Sequence, residues 1–259
     1  LCDAATGSSA QVLVGHRAPV WSVCWSPRAE YTLASGGADR SVRIWDIRRA
    51  GACIRALDQT DTRDERRRLA QVGKSSAARV TTTTAKAREL AAATAHTATV
   101  TSVAYCADGL LLLTAGRDHK LRLWDAEDGA NTLVHYPGAF NTARGQKQLA
   151  VTSAGTHAAN ARVYFPGHDG IHVFDLLTGL HVKTLKAHLG EVLCCTAAPL
   201  DARVFSGGID CTIHAWSPPP CGLWKPAPAE RIDAAAAAEA GAPARDSVGG
   251  NGSFRLPGA

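Results

Sequence analysis

Three groups of residues in this chain have the types and spacing of chemistry. His16, Ser35 and Asp39 would supply the base, nucleophile and orienting carboxylate of a hydrolase triad. His168 and His172 have the i, i+4 spacing at which two imidazoles on one helical turn hold zinc. The stretch ASGGADRSVRIWDIRRA over 34–50 is rich in glycine and carries an aspartate, as a phosphate-cradling loop would. A catalytic site or phosphate loop should occur once, however, and this pattern returns as TAGRDHKLRLWDAEDG at 114–129 and SGGIDCTIHAW at 206–216. Gly170 and the flanking apolar alternation argue against a helix at 168–172, which reads as a turn.

The recurrence is regular from the hydroxyl residue onward. One set is His16, Ser35, Asp39 and Trp45; the second is His96, Thr114, Asp118 and Trp124; the third is His188, Ser206, Asp210 and Trp216, with six positions from Asp to Trp each time. Units end at Trp45-Asp46, Trp124-Asp125, Phe174-Asp175 and Trp216-Ser217, and Leu1-Cys2-Asp3 looks like the end of an earlier one. From Cys2 to Trp45 is 43 residues and from Phe174 to Trp216 is 42, which suits a four-stranded propeller blade. Strand signals at Val20–Trp25, Val42–Trp45, Val100–Tyr105 and Leu121–Trp124 agree, and no long amphipathic helix competes. The unit ending at Phe174 is degenerate: Tyr164, His168 and Phe174 fall at the motif positions, so apolar packing alone is expected to hold it. Arg122 reads as a strand residue outside the motif.

This is the pattern of WD-repeat proteins, and the resemblance implies an all-β propeller, seven-bladed in that family. Here it implies a partial ring of about four blades plus the end of a fifth, and an N-terminally truncated chain. Each His, Ser/Thr, Asp and Trp would form a hydrogen-bonded tetrad, a structural role that displaces the hydrolase reading. The organisation becomes 1–57, the end of one blade and a complete blade; 58–94, a low-complexity basic insert; 95–217, three further blades with the middle one degenerate; and 218–259, a Pro/Ala/Gly-rich tail expected to be disordered.

Bulk properties narrow the function. The densest apolar run, Leu110–Ala115, is six residues, far short of the roughly 18 that cross a bilayer. Eight cysteines include no CxxC pair; Cys24, Cys106 and Cys195 lie in apolar strands, which favours a reducing compartment, and neither a metal nor a cofactor is expected. The net charge of +5 is concentrated between 60 and 90, where eight Lys or Arg face four Asp or Glu. That segment lacks the interleaved aromatics of a single-strand binder, so direct nucleic-acid contact is not expected.

Within the WD repeats the sequence resembles the Cockayne syndrome A family. CWSPRAEY at 24–31, WDIRRAGAC at 45–53, LDQ at 57–59, DGLLLLTAGRDHKLRLWDAEDGANTLVHY at 108–136 and KAHLGEVLCC at 186–195 carry the likeness. The resemblance implies a nuclear, non-catalytic substrate-recognition subunit of a cullin-RING ubiquitin ligase in transcription-coupled nucleotide excision repair. Its partners would be a damage-binding adaptor, the ligase core and stalled-polymerase repair proteins. Trp45, Asp46 and Arg48 match the WDxR element that engages the adaptor, whereas Glu127 replaces the arginine in the next unit. Arg17, Arg40, Arg117, His119 and Lys120 fall in loops of the narrow face and form the candidate substrate face. The alternative is a WD-repeat scaffold in another nuclear or ribosomal assembly.

Overall fold

The computed structural model describes residues 1–2, 4–49, 53–72, 92–142, 145–152, 161–198, 203–217 and 225–226. The tail from 227 and residues 73–91 of the insert lie outside the described residues. Four antiparallel sheets follow one another along the chain. Blade 1 is β1 (Val20–Trp25), β2 (Thr32–Gly37), β3 (Val42–Asp46) and β4 (Cys53–Ala56). After helix α1 (Arg63–Val72), blade 2 is β5 (Val100–Tyr105), β6 (Leu111–Gly116) and β7 (Leu121–Asp125), with Asn131 bridging Trp124 at its outer edge. Blade 3 is β8 (Ala150–Thr152), β9 (Arg162–Pro166), β10 (Ile171–Asp175) and β11 (His181–Leu185). Blade 4 is β12 (Val192–Ala197), β13 (Val204–Gly208), β14 (Ile213–Ser217) and β15 (Lys225–Pro226). Cys2 and Ser9 form an isolated antiparallel bridge ahead of β1.

The core lies between sheets. Alternating side chains point to opposite faces of a strand, and here both faces are covered, which explains the near-continuous apolar runs. In β7, Trp124 faces the seam with blade 1, among Ala34, Val42, Ile44, Leu57 and Val103. Leu121 and Leu123 face the opposite seam, among Leu149, Val163, Phe165 and Phe174 of blade 3. Tyr164, Ile171, Val173, Val192, Val204 and Trp216 fill the third seam.

Blade 3 is degenerate for a reason of register. Between paired residues Gly36 and Val42, Ala115 and Leu121, and Gly207 and Ile213 the turn has five residues; between Pro166 and Ile171 it has four, 167–170. Trp45, Trp124 and Trp216 pair with Leu33, Leu112 and Val204, two residues before the hydroxyl of each set. Phe174 pairs with Val163, so Phe165, not Tyr164, occupies the hydroxyl position. A shortened turn and a phenyl ring there leave no place for the polar set.

Nor is blade 3 held by apolar packing alone. Lys147 is fully buried: its Nζ donates to Pro166 O at 3.1 Å, stands 2.9 Å from Glu191 Oε1 of the next blade, and lies 5.9 Å from the Phe165 ring centre. The Asn141 amide donates to Thr101 Oγ1 at 2.8 Å and Gly116 O at 3.1 Å, anchoring the incoming loop to blade 2.

Part of the insert is ordered as well. Thr62 caps α1 by accepting from Glu65 N at 3.2 Å, the T-x-x-E arrangement of a capping box. Arg63 pairs with Asp125 and Asp128, and Arg66 with Asp61 and Asp128, fastening the helix to blade 2. Asn131 N donates to Asp61 O at 2.8 Å, so the chain before α1 covers the outer edge of that blade.

A buried ammonium that loses its partner, or leaves one behind, is costly. Lys147→Ala should lower stability by about 3 kcal/mol in denaturant unfolding. Lys147→Met combined with Glu191→Gln should lose less, because no lone charge then remains in the seam.

Candidate functional site

The repeated residues converge at one end of blades 1, 2 and 4. Trp45 Nε1 donates to Ser35 Oγ at 2.8 Å; Ser35 Oγ lies 2.7 Å from His16 Nε2; His16 Nδ1 lies 2.9 Å from Asp39 Oδ2. The corresponding distances for Trp124, Thr114, His96 and Asp118 are 2.9, 2.8 and 2.8 Å, and for Trp216, Ser206, His188 and Asp210 they are 2.9, 2.8 and 3.0 Å. The proton directions follow from the donor inventory. An indole N–H only donates, so the hydroxyl accepts there and can give its own proton to Nε2, which leaves Nδ1 to carry the imidazole proton and donate to the carboxylate. The serine and threonine oxygens are thereby committed, and the arrangement is structural.

Backbone groups complete the carboxylates: Arg17 N, Thr97 N and Leu189 N each donate to the aspartate of their own set. Burial would raise the carboxyls of Asp39, Asp118 and Asp210, yet hydrogen bonds from the histidines and these neighbours outweigh it and hold all three well below the ordinary carboxylate range. Burial also pushes His96 down, against the pull of Asp118. Arg122 supplies the positive charge instead: its Nη1 donates to Asp118 Oδ2 at 2.8 Å, the carboxylate that also receives His96 Nδ1, while Nη2 donates to Gln59 Oε1 at 3.0 Å. Arg122 is therefore a fifth member of the set, not a bystander. Arginine at the fourth position after Asp in the first two units, Arg43 and Arg122, was the signal that could have revealed it.

The candidate substrate-face residues are all exposed on the loops at this end, on blades 1 and 2. They are less free than their exposure suggests. Arg40 and His119 have φ of 67° and 58°, in the left-handed region, and Cys211 of blade 4 has 60° at the matching position after Asp. Arg40 O accepts from Ala95 N and His96 N, seating the next blade's histidine. His119 Nδ1 accepts from Asn141 N at 3.0 Å and meets Phe140 edge-on. Arg117 and Lys120 use their backbones, pairing with Thr99 O and Gly116 N. His168 and His172 do not share a helix; His172 lies on β10 with Nε2 3.1 Å from Asp169.

At the opposite end, Trp45 and Asp46 are buried and Arg48 is 64% exposed at its side chain. Arg48 Nε and Nη2 donate to the two Asp46 oxygens at 2.9 and 2.7 Å, and its carbon lies 5.0 Å over the Tyr31 ring. These bonds bring Asp46 down to about 2 and raise Arg48. The Nη1 group has no hydrogen-bond partner among the described residues, so a preoriented donor pair is left for an outside acceptor. Glu127 of blade 2 offers no such group; Asp125 takes its guanidinium from Arg63 of α1.

Residues 7–46, 88–125 and 179–217 match the family described as WD domain, G-beta repeat. These three units are WD repeats. The match omits β8, β9 and β10 of blade 3, the strands that flank its shortened turn, and includes β11. The chain is 33% identical to the WD repeat-containing protein ATCSA-1 of Arabidopsis thaliana over 84% of its own length and 57% of that protein's. It is 24% identical to the serine-threonine kinase receptor-associated protein of Dictyostelium discoideum, over 78% of this chain and 81% of that one. Among solved structures, the RRP9 WD40 repeats superpose with a TM-score of 0.57 at 19% identity, over 83% of this chain and 53% of that chain. The computationally designed Ika4 protein gives 0.51 at 19% identity, over 82% of this chain and 99% of that one. The chain is an all-β WD40 propeller fold, and it spans just over half the length of the Arabidopsis relative.

Two measurements probe the tetrads. Asp118→Ala and Arg122→Ala should each cost about 1 to 3 kcal/mol in denaturant unfolding, since each strands buried partners, whereas His168→Ala at the exposed blade 3 turn should cost far less. Acid should destabilise the protein in two stages. His96 titrates below its ordinary 6.5 when folded, so the unfolded chain takes up protons first and stability declines as pH falls below about 6.5. The lowered carboxylates add stability that is present above 3.8 and lost beneath it, so the melting temperature should fall gently from pH 6.5 and steeply below 4.

Proposed function

We propose that this chain is the substrate-recognition module of a cullin-RING ubiquitin ligase acting in transcription-coupled nucleotide excision repair in the nucleus. The observation that carries the reading is the 33% identity with ATCSA-1 across 84% of the chain, on top of the resemblance to the Cockayne syndrome A family. The geometry of Arg48 supplies a mechanism. Its docking partner is a damage-binding adaptor that joins the propeller to the ligase core, and the contact is made at the end of blade 1 opposite the tetrads. Arg48 is already aligned by Asp46 and Tyr31, so little rotamer freedom is lost when Nη1 meets a carbonyl or carboxylate of the adaptor. The tetrad end, with Arg17, Arg40, Arg117, His119 and Lys120, is then left to the repair proteins recognised as substrates. The module contributes binding surface and geometry; the ligation chemistry belongs to the partner subunits.

The adaptor contact is tested with Arg48→Ala, which should weaken adaptor binding about tenfold, equivalent to about 1.4 kcal/mol, in a calorimetric or biosensor titration. The melting temperature should fall by only a few degrees, because Asp46 loses the guanidinium but keeps the Arg48 backbone N–H. Arg117→Ala, at the other end of the propeller, is the control and should bind the adaptor as the unaltered protein does. Undiminished binding by Arg48→Ala would favour a WD-repeat scaffold in another assembly.

A further inference from the structure

Blade 4 departs from blades 1 and 2 at the position opposite the hydroxyl residue. Arg43 and Arg122 stand opposite the hydroxyl residues Ser35 and Thr114 in the strand ladder; in blade 4 His214 stands opposite Ser206. Blade 2 shows what occupies this place: the cationic Arg122 Nη1, within 2.8 Å of both the tetrad carboxylate and the tetrad imidazole. In blade 4 the imidazole of His214 meets that of His188 edge-on, with ring centres 4.4 Å apart. Asp210 has no Lys or Arg partner among the described residues.

The donor atoms that remain surround a small space. One ligand atom each from His188, Asp210 and His214 lies within 4.8 Å of the others. Thr212 Oγ1 stands 3.3 Å from His188 Nδ1 and 3.1 Å from His214 Nε2, and His188 Nδ1 stands 3.0 Å from Asp210 Oδ2. Four donors about 2.0 Å from a tetrahedral ion stand about 3.3 Å apart, so these three separations need little adjustment, while His214, within 4.8 Å of His188 and Asp210, must draw in. We propose that blade 4 carries a divalent-cation site formed by His188 Nδ1, Asp210, His214 Nε2 and the Thr212 hydroxyl or a water in its place, suited to Zn²⁺. Two imidazoles and one carboxylate form a borderline donor set that Ca²⁺ and Mg²⁺, which take oxygen, do not favour.

The proton account closes without a co-reactant. In the tetrad the single imidazole proton of His188 is on Nδ1. Binding a cation there moves it to Nε2, from which it donates to Ser206 Oγ, beside the Trp216 indole N–H that already does so; the Ser206 hydroxyl, which gave its proton to Nε2 before, must then rotate to another acceptor, so no proton is released but one hydrogen bond of the relay is given up. Asp210 loses the histidine donor but keeps Leu189 N at 2.9 Å and Thr212 N at 3.2 Å, which hold the carboxylate in place. The ion thus supplies the positive charge that Arg122 supplies in blade 2.

Zinc chloride titrated calorimetrically into the chelator-treated chain should show one equivalent bound and raise the melting temperature. His214→Arg, which restores the residue of blades 1 and 2, should lower zinc affinity by at least about tenfold while leaving the metal-free melting temperature nearly unchanged. His214→Gln is the second variant and should lose affinity likewise. Because Cys194 and Cys211 are exposed on the same blade, Cys194→Ser with Cys211→Ser should bind zinc as before. Absence of binding, unaltered binding by either His214 variant, or loss of binding with the cysteines would each overturn the proposal.

Discussion

The fold depends on a one-way chain of hydrogen bonds that runs from an indole through a hydroxyl and an imidazole to a carboxylate. Each link leaves one choice for the next, because indole can only donate and an ionised carboxylate can only accept. The histidine comes from the loop entering a blade, the hydroxyl and the indole from its second and third strands, and the carboxylate from the turn between those two strands. The chain therefore fixes where each blade begins relative to its own sheet, and Arg40 O, holding Ala95 N and His96 N, passes that placement to the next. The apolar seams cannot do this alone, since burial of Leu, Val and Trp is favourable over a range of offsets and has no direction.

Blade 3 shows what replaces the relay when it is lost. One residue fewer in its turn brings Phe165 to the hydroxyl position, and the anchoring passes to charges and amides at the borders: Lys147 reaching Glu191 across the seam with blade 4, Asn141 reaching back to blade 2. The substitution conserves the physical requirement, which is that the entering loop be tied down by directed bonds, while changing every residue that meets it.

A second regularity governs the other end. The aspartates closing the third strands of blades 1 to 3 each hold a guanidinium: Asp46 that of Arg48, Asp125 that of Arg63, Asp175 that of Arg162. Only Arg48 belongs to the turn immediately following its aspartate. Its alignment is thus a structural property, with one donor group left over once Asp46 is satisfied.

The sequence by itself determined the blades and the tetrads. A six-residue interval from Asp to Trp recurs because a five-residue turn must carry the carboxylate back to the indole's own blade end, and such a local constraint is written in spacing. Register was not legible in blade 3, where the spacing placed Tyr164 at the motif but a shortened turn shifted the pairing by one residue. Nor was the fifth member of the tetrad, because Arg122 gains its meaning only when β6 and β7 pair and bring its guanidinium beside Asp118. The helix fastened by Arg63 and Arg66, the buried Lys147 and the convergence of Thr212 and His214 on His188 were likewise decided by tertiary structure. Each joins residues on different strands, loops or blades, and such bonds have no fixed distance along the chain.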